Sequence, residues 1–193
     1  MSEKLSNITD FFIELDSLKL INRRTYIDGW LRVENSAEHS WHLAMACWSL
    51  SRTLKLDLSE EKLLKLALVH DLGEIDAGDT FLYSKNRSKA HIAERECVLR
   101  LESHEGNGIS NLCELWEEQE SGDSIERKLL KTVDRLLPFI HNISSEGKTW
   151  KELGIKKKQV LQAHAFIKND FSEIHDWMLL EIEEAVNKGW IQS

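Results

Sequence analysis

Leu66-Ala67-Leu68-Val69-His70-Asp71-Leu72 is a run fit only for burial, interrupted by an imidazole and a carboxyl side by side. Together with Leu63 and Leu64 it is apolar nearly all round, the pattern of a central helix in a helical bundle. Burying a charge without a compensating partner costs several kcal/mol, on the order of a whole domain's stability. A divalent cation is a natural partner. Two further residues could join it: His39 in Glu38-His39-Ser40-Trp41, and Asp134 in Thr132-Val133-Asp134-Arg135-Leu136. A set of His39, His70, Asp71 and Asp134 suits one mid-hardness ion per chain: Mn, Co, Fe, Ni or Zn, with Mg a poorer match. On an octahedral ion such a set leaves positions for water or a phosphate oxygen. The ion can then polarise a phosphoryl group and supply hydroxide near neutral pH.

Outward from that run, the composition points the same way. The 193 residues are enough for one domain with a substantial core. Pro138 is the only proline, glycines are few, and Leu, Glu, Ser, Lys and Ile are the commonest residues. Strand-type alternation is scarce. The expectation is an all-α, single-domain helical bundle over 1–193, with helices separating the ligands so that a metal would also hold the bundle together. The formal charge of −8 disfavours a nucleic acid polymer as partner, although a bound cation can reverse the local field for a small phosphorylated substrate. Cys47, Cys97 and Cys113 show no CxxC spacing and read as reduced core thiols of a cytoplasmic protein. No stretch reaches the ~20 apolar residues a membrane span needs, and Met1-Ser2-Glu3-Lys4-Leu5 opens no secretory segment.

The periodicity predicts a helix over 5–20, then a polar, aromatic-dotted connection over 21–34. Asn35-Ser36-Ala37-Glu38 has capping-box spacing and should start a helix running to about 54. Asp57-Leu58-Ser59-Glu60 repeats the signature and opens the central helix, which ends near Gly73. Residues 73–87 read as an acidic loop. Helices follow over 88–105 and 109–120, then one capped by Asp123-Ser124-Ile125-Glu126 and perturbed at Pro138. Gly147 and Gly154 bracket a linker, and the C-terminal helices occupy about 156–189, the last capped by Asp170-Phe171-Ser172-Glu173 and stopped at Gly189. Trp41, Trp48 and Trp116 fall at helical positions expected in the core, as does His42. His91, His104, His141, His164 and His175 read as solvated, and Trp30 as open to a pocket.

Leu18-Lys19-Leu20-Ile21-Asn22-Arg23, Glu34-Asn35-Ser36-Ala37-Glu38-His39-Ser40, His70-Asp71-Leu72-Gly73-Glu74 and Ala77-Gly78-Asp79 occur in this order. With the order His…His-Asp…Asp, they resemble the HD-domain metal-dependent phosphohydrolases, in the branch of the bacterial 5′-deoxynucleotidases. The likeness covers about 10–142 and implies an HD-type helical fold. It implies that His39, His70, Asp71 and Asp134 hold the metal. Glu74 then orients or deprotonates the attacking water and protonates the leaving oxygen, Asp79 lies near the sugar, and Arg23 meets the phosphate. Trp30 is a further candidate for substrate binding. The chain departs from the bacterial pattern at Arg24, where those enzymes carry tryptophan, and at Tyr26 and Asp28-Gly29-Trp30.

The resemblance thus implies release of phosphate from a small phosphomonoester, first of all a 5′-deoxynucleoside monophosphate. Two alternatives stand beside it: an HD phosphodiesterase or nucleoside triphosphate hydrolase, and a non-catalytic, metal-stabilised interaction protein. The acidic stretch 74–79 speaks against the first, and the presence of Glu74 beyond the ligands against the second. A homodimer is expected from the resemblance and from Trp150, Phe166, Phe171, Trp177 and Trp190, which one small core need not bury.

Overall fold

A computed structural model of the chain describes residues 2–27, 30–84 and 87–193. Among these residues there are ten α-helices, two 3-10 turns and one small hairpin, and the helical expectation holds. The chain folds as two compact units, neither a continuous segment.

The first unit comprises residues 1–23, 35–80 and 84–131. It contains α1 (Glu3–Asp16), α2 (Ser36–Thr53), α3 (Glu60–Val69), α4 (Glu74–Ala77), α5 (Arg87–Glu102), α6 (Leu112–Ser121) and the first turns of α7 (Ile125–Ser144). Packing of α3 against both α2 and α6 buries Leu63, Leu66, Ala67 and Val69, while Lys65 and Leu68 face outward, so the helix is central without being covered all round. Phe11, Leu18, Val69, Leu72, Val98, Leu101, Leu112 and Trp116 form one apolar cluster around its C-terminal end. The capping box at the head of α2 is present in both halves: Glu38 N–H donates to Asn35 Oδ1, and Asn35 N–H to Glu38 Oε2. The caps of α3 and α7 shift from the expected aspartates to serines. Lys62 N–H reaches Ser59 Oγ at 3.2 Å and Arg127 N–H reaches Ser124 Oγ at 3.3 Å, while Asp123 turns outward to Lys128. Residues 73–87, expected as a loop, contain the single turn α4. An Asp76–Arg100 fork (2.9 and 2.8 Å) pins α4 to α5. Gly73 is required there, because a Cβ would stand 2.6 Å from the Cβ of Glu94.

The second unit comprises residues 24–34, 81–83 and 132–193. It holds the remainder of α7 with α8 (Lys148–Glu152), α9 (Lys157–His164) and α10 (Ser172–Asn187). The hairpin, β1 (Asn22–Ile27) with β2 (Arg32–Asn35), replaces the connection expected over 21–34. Its buried pair is Thr25 and Glu34, hydroxyl to carboxylate at 3.4 Å; Asp28 and Gly29 lie outside the described residues. A lone strand of polar residues carries little periodic signal, and only pairing makes it a strand. α7 continues as one helix past Pro138, which has no N–H to offer the carbonyl of Asp134. The supposed linker 147–154 is the helix α8, and Asp170 does not cap α10, whose first flanking residue is Phe171. Gly189 closes α10 as expected. At φ 70° it lets its own N–H reach Val186 C=O and lets Trp190 N–H reach Ala185 C=O.

Phe139 organises this unit's core, with the rings of Trp150, His164 and Trp177 at 5.7, 5.6 and 5.9 Å. Trp150 and Phe171, expected to be left for a partner, are buried here. So is His164, expected in solvent; α9 is polar on average, and the packing of Phe139 selects the face that goes inside. Its Nδ1–H donates to Val160 C=O at 2.7 Å, and burial holds its imidazole below the usual histidine value. The unfolded chain, with a histidine pKa of about 6.5, then binds the extra proton first. Stability should therefore fall as pH drops below about 6.5 toward the folded-state value. Thermal midpoints across that window should decline less steeply in His164→Leu than in the natural protein; parallel curves would contradict the assignment.

Candidate metal centre

Two junctions in the first unit build the site. α2 begins at Ser36, whose N–H donates to Ile21 C=O at 2.9 Å, and its fourth residue, His39, is fully buried. α3 ends at Val69, and the chain turns at His70-Asp71-Leu72 into α4, closing the turn with Glu74 N–H on Asp71 C=O at 2.9 Å. His70 and Asp71 are thus held where two helices meet, with His39 beside them. The His39 and His70 rings are 5.4 Å apart between centroids, and one ligand atom from each of His39, His70 and Asp71 lies within 4.8 Å of the others.

The donor set fits a cation. His70 Nδ1–H donates to Ala67 C=O at 2.8 Å, which orients the ring with Nε2 toward Asp71. That buried Nε2 makes no hydrogen bond and faces Asp71 Oδ1 at 3.1 Å. Burial alone would raise the Asp71 carboxyl, but His70 and then Arg23 outweigh it and hold Asp71 well below the usual carboxylate range. Arg23 Nη1 donates to Asp71 Oδ2 at 2.9 Å and stands 3.9 Å from Asp79 Oδ1. Glu74, one turn past His70, is buried and accepts a 2.6 Å hydrogen bond from Ser36 Oγ. Burial and then the charge of Asp71 push Glu74 up to about 9, against the opposing influence of Arg23 and the Ser36 hydroxyl. Neighbouring buried carboxyls ionise together only at a cost, and a cation among them would lower that cost and leave Glu74 able to accept a proton.

The structure therefore brings His39, His70, Asp71, Arg23, Glu74 and Asp79 into one unit and gathers the first three most closely. Asp134 lies on α7 in the second unit, buried, with Arg135 Nη1 on its Oδ2 at 2.8 Å. Trp30 belongs to that unit too. Its indole N–H donates to Ser144 C=O and its carbonyl accepts from Lys148 Nζ, so only the ring is left for a ligand. Ser36 was not foreseen. In the sequence it is only the second residue of a capping box, and its partner lies 38 positions away.

The profile of the HD domain family matches residues 15–175. The chain is 29% identical over 140 residues to the 5′-deoxynucleotidase HDDC2 of Danio rerio, across 68% of this chain and 66% of that protein. It is 28% identical over 175 residues to a 5′-deoxynucleotidase of Yersinia pseudotuberculosis, across 84% and 83%. The aligned part spans 62% of the human HDDC2 protein. Among solved structures, a protein of Magnetospirillum magnetotacticum described as a predicted metal-dependent phosphohydrolase superposes with a TM-score of 0.85 at 29% identity. That superposition covers 98% of this chain and 99% of that one.

Proposed function

Because this chain belongs to the HD-domain family, we propose that it is a metal-dependent phosphohydrolase that releases phosphate from a small phosphomonoester, with 5′-deoxynucleoside monophosphates the first substrate class. The observation that carries the reading is the group of buried His39 and His70 with half-buried Asp71, and Glu74 one turn beyond it. These three residues would hold one divalent ion. Bound there, such an ion polarises a phosphoryl group and lowers the pKa of a water molecule near it. The nucleotidase names of the Danio and Yersinia relatives support the substrate class.

The chain's own residues have separable tasks. Glu74 takes the proton of the attacking water and returns it to the leaving ester oxygen, and the Ser36 hydroxyl holds the carboxylate oxygen that does not react. Arg23 meets the phosphate, since a guanidinium matches paired phosphate oxygens. Asp79 accepts from a sugar hydroxyl.

A panel of phosphomonoesters, cyclic nucleotides and nucleoside triphosphates, each with and without Mn or Co, tests the proposal. Metal-dependent phosphate release from deoxynucleoside monophosphates is expected. Cleavage confined to the cyclic or triphosphate substrates would overturn the substrate class, and silence on all of them the enzymatic reading.

Arg23 makes a second test. A pure phosphate contact, equal in ground and transition states, would raise only KM on removal. Arg23 also hydrogen-bonds Asp71, so Arg23→Ala should raise KM and weaken metal uptake together. Metal titration of that variant separates the two effects; unchanged metal affinity would show that the Asp71 contact contributes nothing.

A further inference from the structure

We propose that Arg100 is a positioning residue for Glu74: by gripping Asp76 it fixes the single turn α4, and with it the backbone from which the proton-transferring carboxyl projects. The inference rests on Glu74 being the acid–base group of the proposed reaction. α4 has only four residues, Glu74–Ala77, too few to be stable as an isolated helix. Gly73 offers its N-terminus no side-chain cap, and Gly78 ends it at φ 75°. Its place is therefore set by what packs on it, chiefly α5. Ser36 holds the Glu74 carboxyl from α2, but a hydrogen bond at the tip of a side chain does not fix the backbone beneath it.

Glu94, Cys97 and Arg100 follow one another at three-residue spacing on α5 and hold successive points of the turn. Glu94 meets Gly73 so closely that a Cβ on the glycine would stand 2.8 Å from the Glu94 carbonyl oxygen. The buried Cys97 thiol donates to Leu72 C=O at 3.5 Å. Arg100 closes the row. Its Nε and Nη2 donate to the two carboxylate oxygens of Asp76 at 2.9 and 2.8 Å, and Nη2 also reaches Glu14 Oε1 on α1 at 2.6 Å. One guanidinium thus ties α4 to α5 and α1 together. A two-point fork fixes direction as well as distance, which a lone exposed ion pair does not. The contacts at Leu72 and Gly73 both precede Glu74 and act as a pivot, whereas the fork lies beyond Glu74 and stops the turn from swinging about that pivot. The consequence for rate is large, because a misplacement of about 1 Å caused by a change away from the chemistry can cost roughly a hundredfold.

Arg100→Ala should lower kcat for metal-dependent phosphate release by about tenfold to a hundredfold, with KM and metal affinity close to their natural values. In the Glu74→Gln background the same substitution should cost nothing further, because a residue that acts through Glu74 then has nothing left to place. Arg100→Lys keeps the charge but not the fork and should restore only part of the loss. Arg95→Ala breaks an ion pair from the same helix to Glu117 and should leave kcat as it is. The amides of Glu74, Ile75, Ala77 and Gly78 bond within or just before the turn, and their hydrogen exchange should quicken by about tenfold in Arg100→Ala while α3 keeps its protection. Three results each overturn the proposal: a loss that adds to that of Glu74→Gln, an equal loss in Arg95→Ala, or unchanged exchange in α4. Should Arg100→Ala fail to fold, Asp76→Ala, which places a better helix former in α4, replaces it in every comparison. Silence of the natural protein on all substrates overturns the phosphohydrolase reading instead, and the exchange measurement alone then decides whether Arg100 fixes the turn.

Discussion

Glu74→Gln should lower metal-dependent phosphate release by about two to four orders of magnitude, the usual consequence of losing a positioned acid–base group. The amide keeps the shape of the side chain and the hydrogen bond from Ser36 Oγ, 2.6 Å in the natural protein, but cannot carry a proton. A neutral amide also suits a buried position beside the Asp71 carboxyl, so the fold should lose nothing. Metal content by elemental analysis and the thermal midpoint should both match the natural protein. Glu74→Ala should lose as much activity, but it leaves the buried Ser36 hydroxyl without its partner, an omission worth about 1–3 kcal/mol of stability. The two variants therefore separate proton transfer from packing. Turnover near the natural level in Glu74→Gln would remove Glu74 from the chemistry.

His70→Ala should abolish metal uptake and make the thermal midpoint indifferent to added Mn or Co. A ligand that binds only the folded state stabilises it by about 4 kcal/mol when present at a thousandfold its dissociation constant. In the natural protein the midpoint should thus climb with metal and drop on chelation. The substitution has an ordinary packing cost as well, since His70 is buried and its Nδ1–H holds the Ala67 carbonyl at the end of α3. The absolute midpoint is therefore a poor witness, and its response to metal is the decisive measurement. Full metal occupancy in His70→Ala would show that the ion, if any, sits elsewhere.

The candidate ligand group was legible in the sequence because its evidence is local. An imidazole and a carboxyl inside Leu66–Leu72 violate burial rules whatever surrounds them, and a capping box announces the helix on which His39 falls. Helix starts, the apolar girth of α3 and the stop at Gly189 are likewise properties of a few consecutive residues. The sequence is silent where a choice depends on a distant neighbour. β1 and β2 exist only as a pair. Ser59 and Ser124, not the aspartates before them, turned out to cap their helices. Trp41 and Trp48 have the same helical credentials as Trp116, yet only Trp116 is in the core. Periodicity fixes which residues share a face, but not which face a neighbouring helix covers.

By itself, then, the sequence determined a helical protein, the position of its central helix and the chemical types that converge on it. The tertiary structure decided what those groups are to one another. Arg23 and Asp71 are 48 positions apart and Ser36 and Glu74 38 apart, yet their atoms meet at 2.9 and 2.6 Å. Whether a carboxyl is ionised, oriented or in conflict is set by charges and donors within a few ångströms in a poorly screened interior. That is a matter of distance through space, and chain order carries no record of it until the helices have packed.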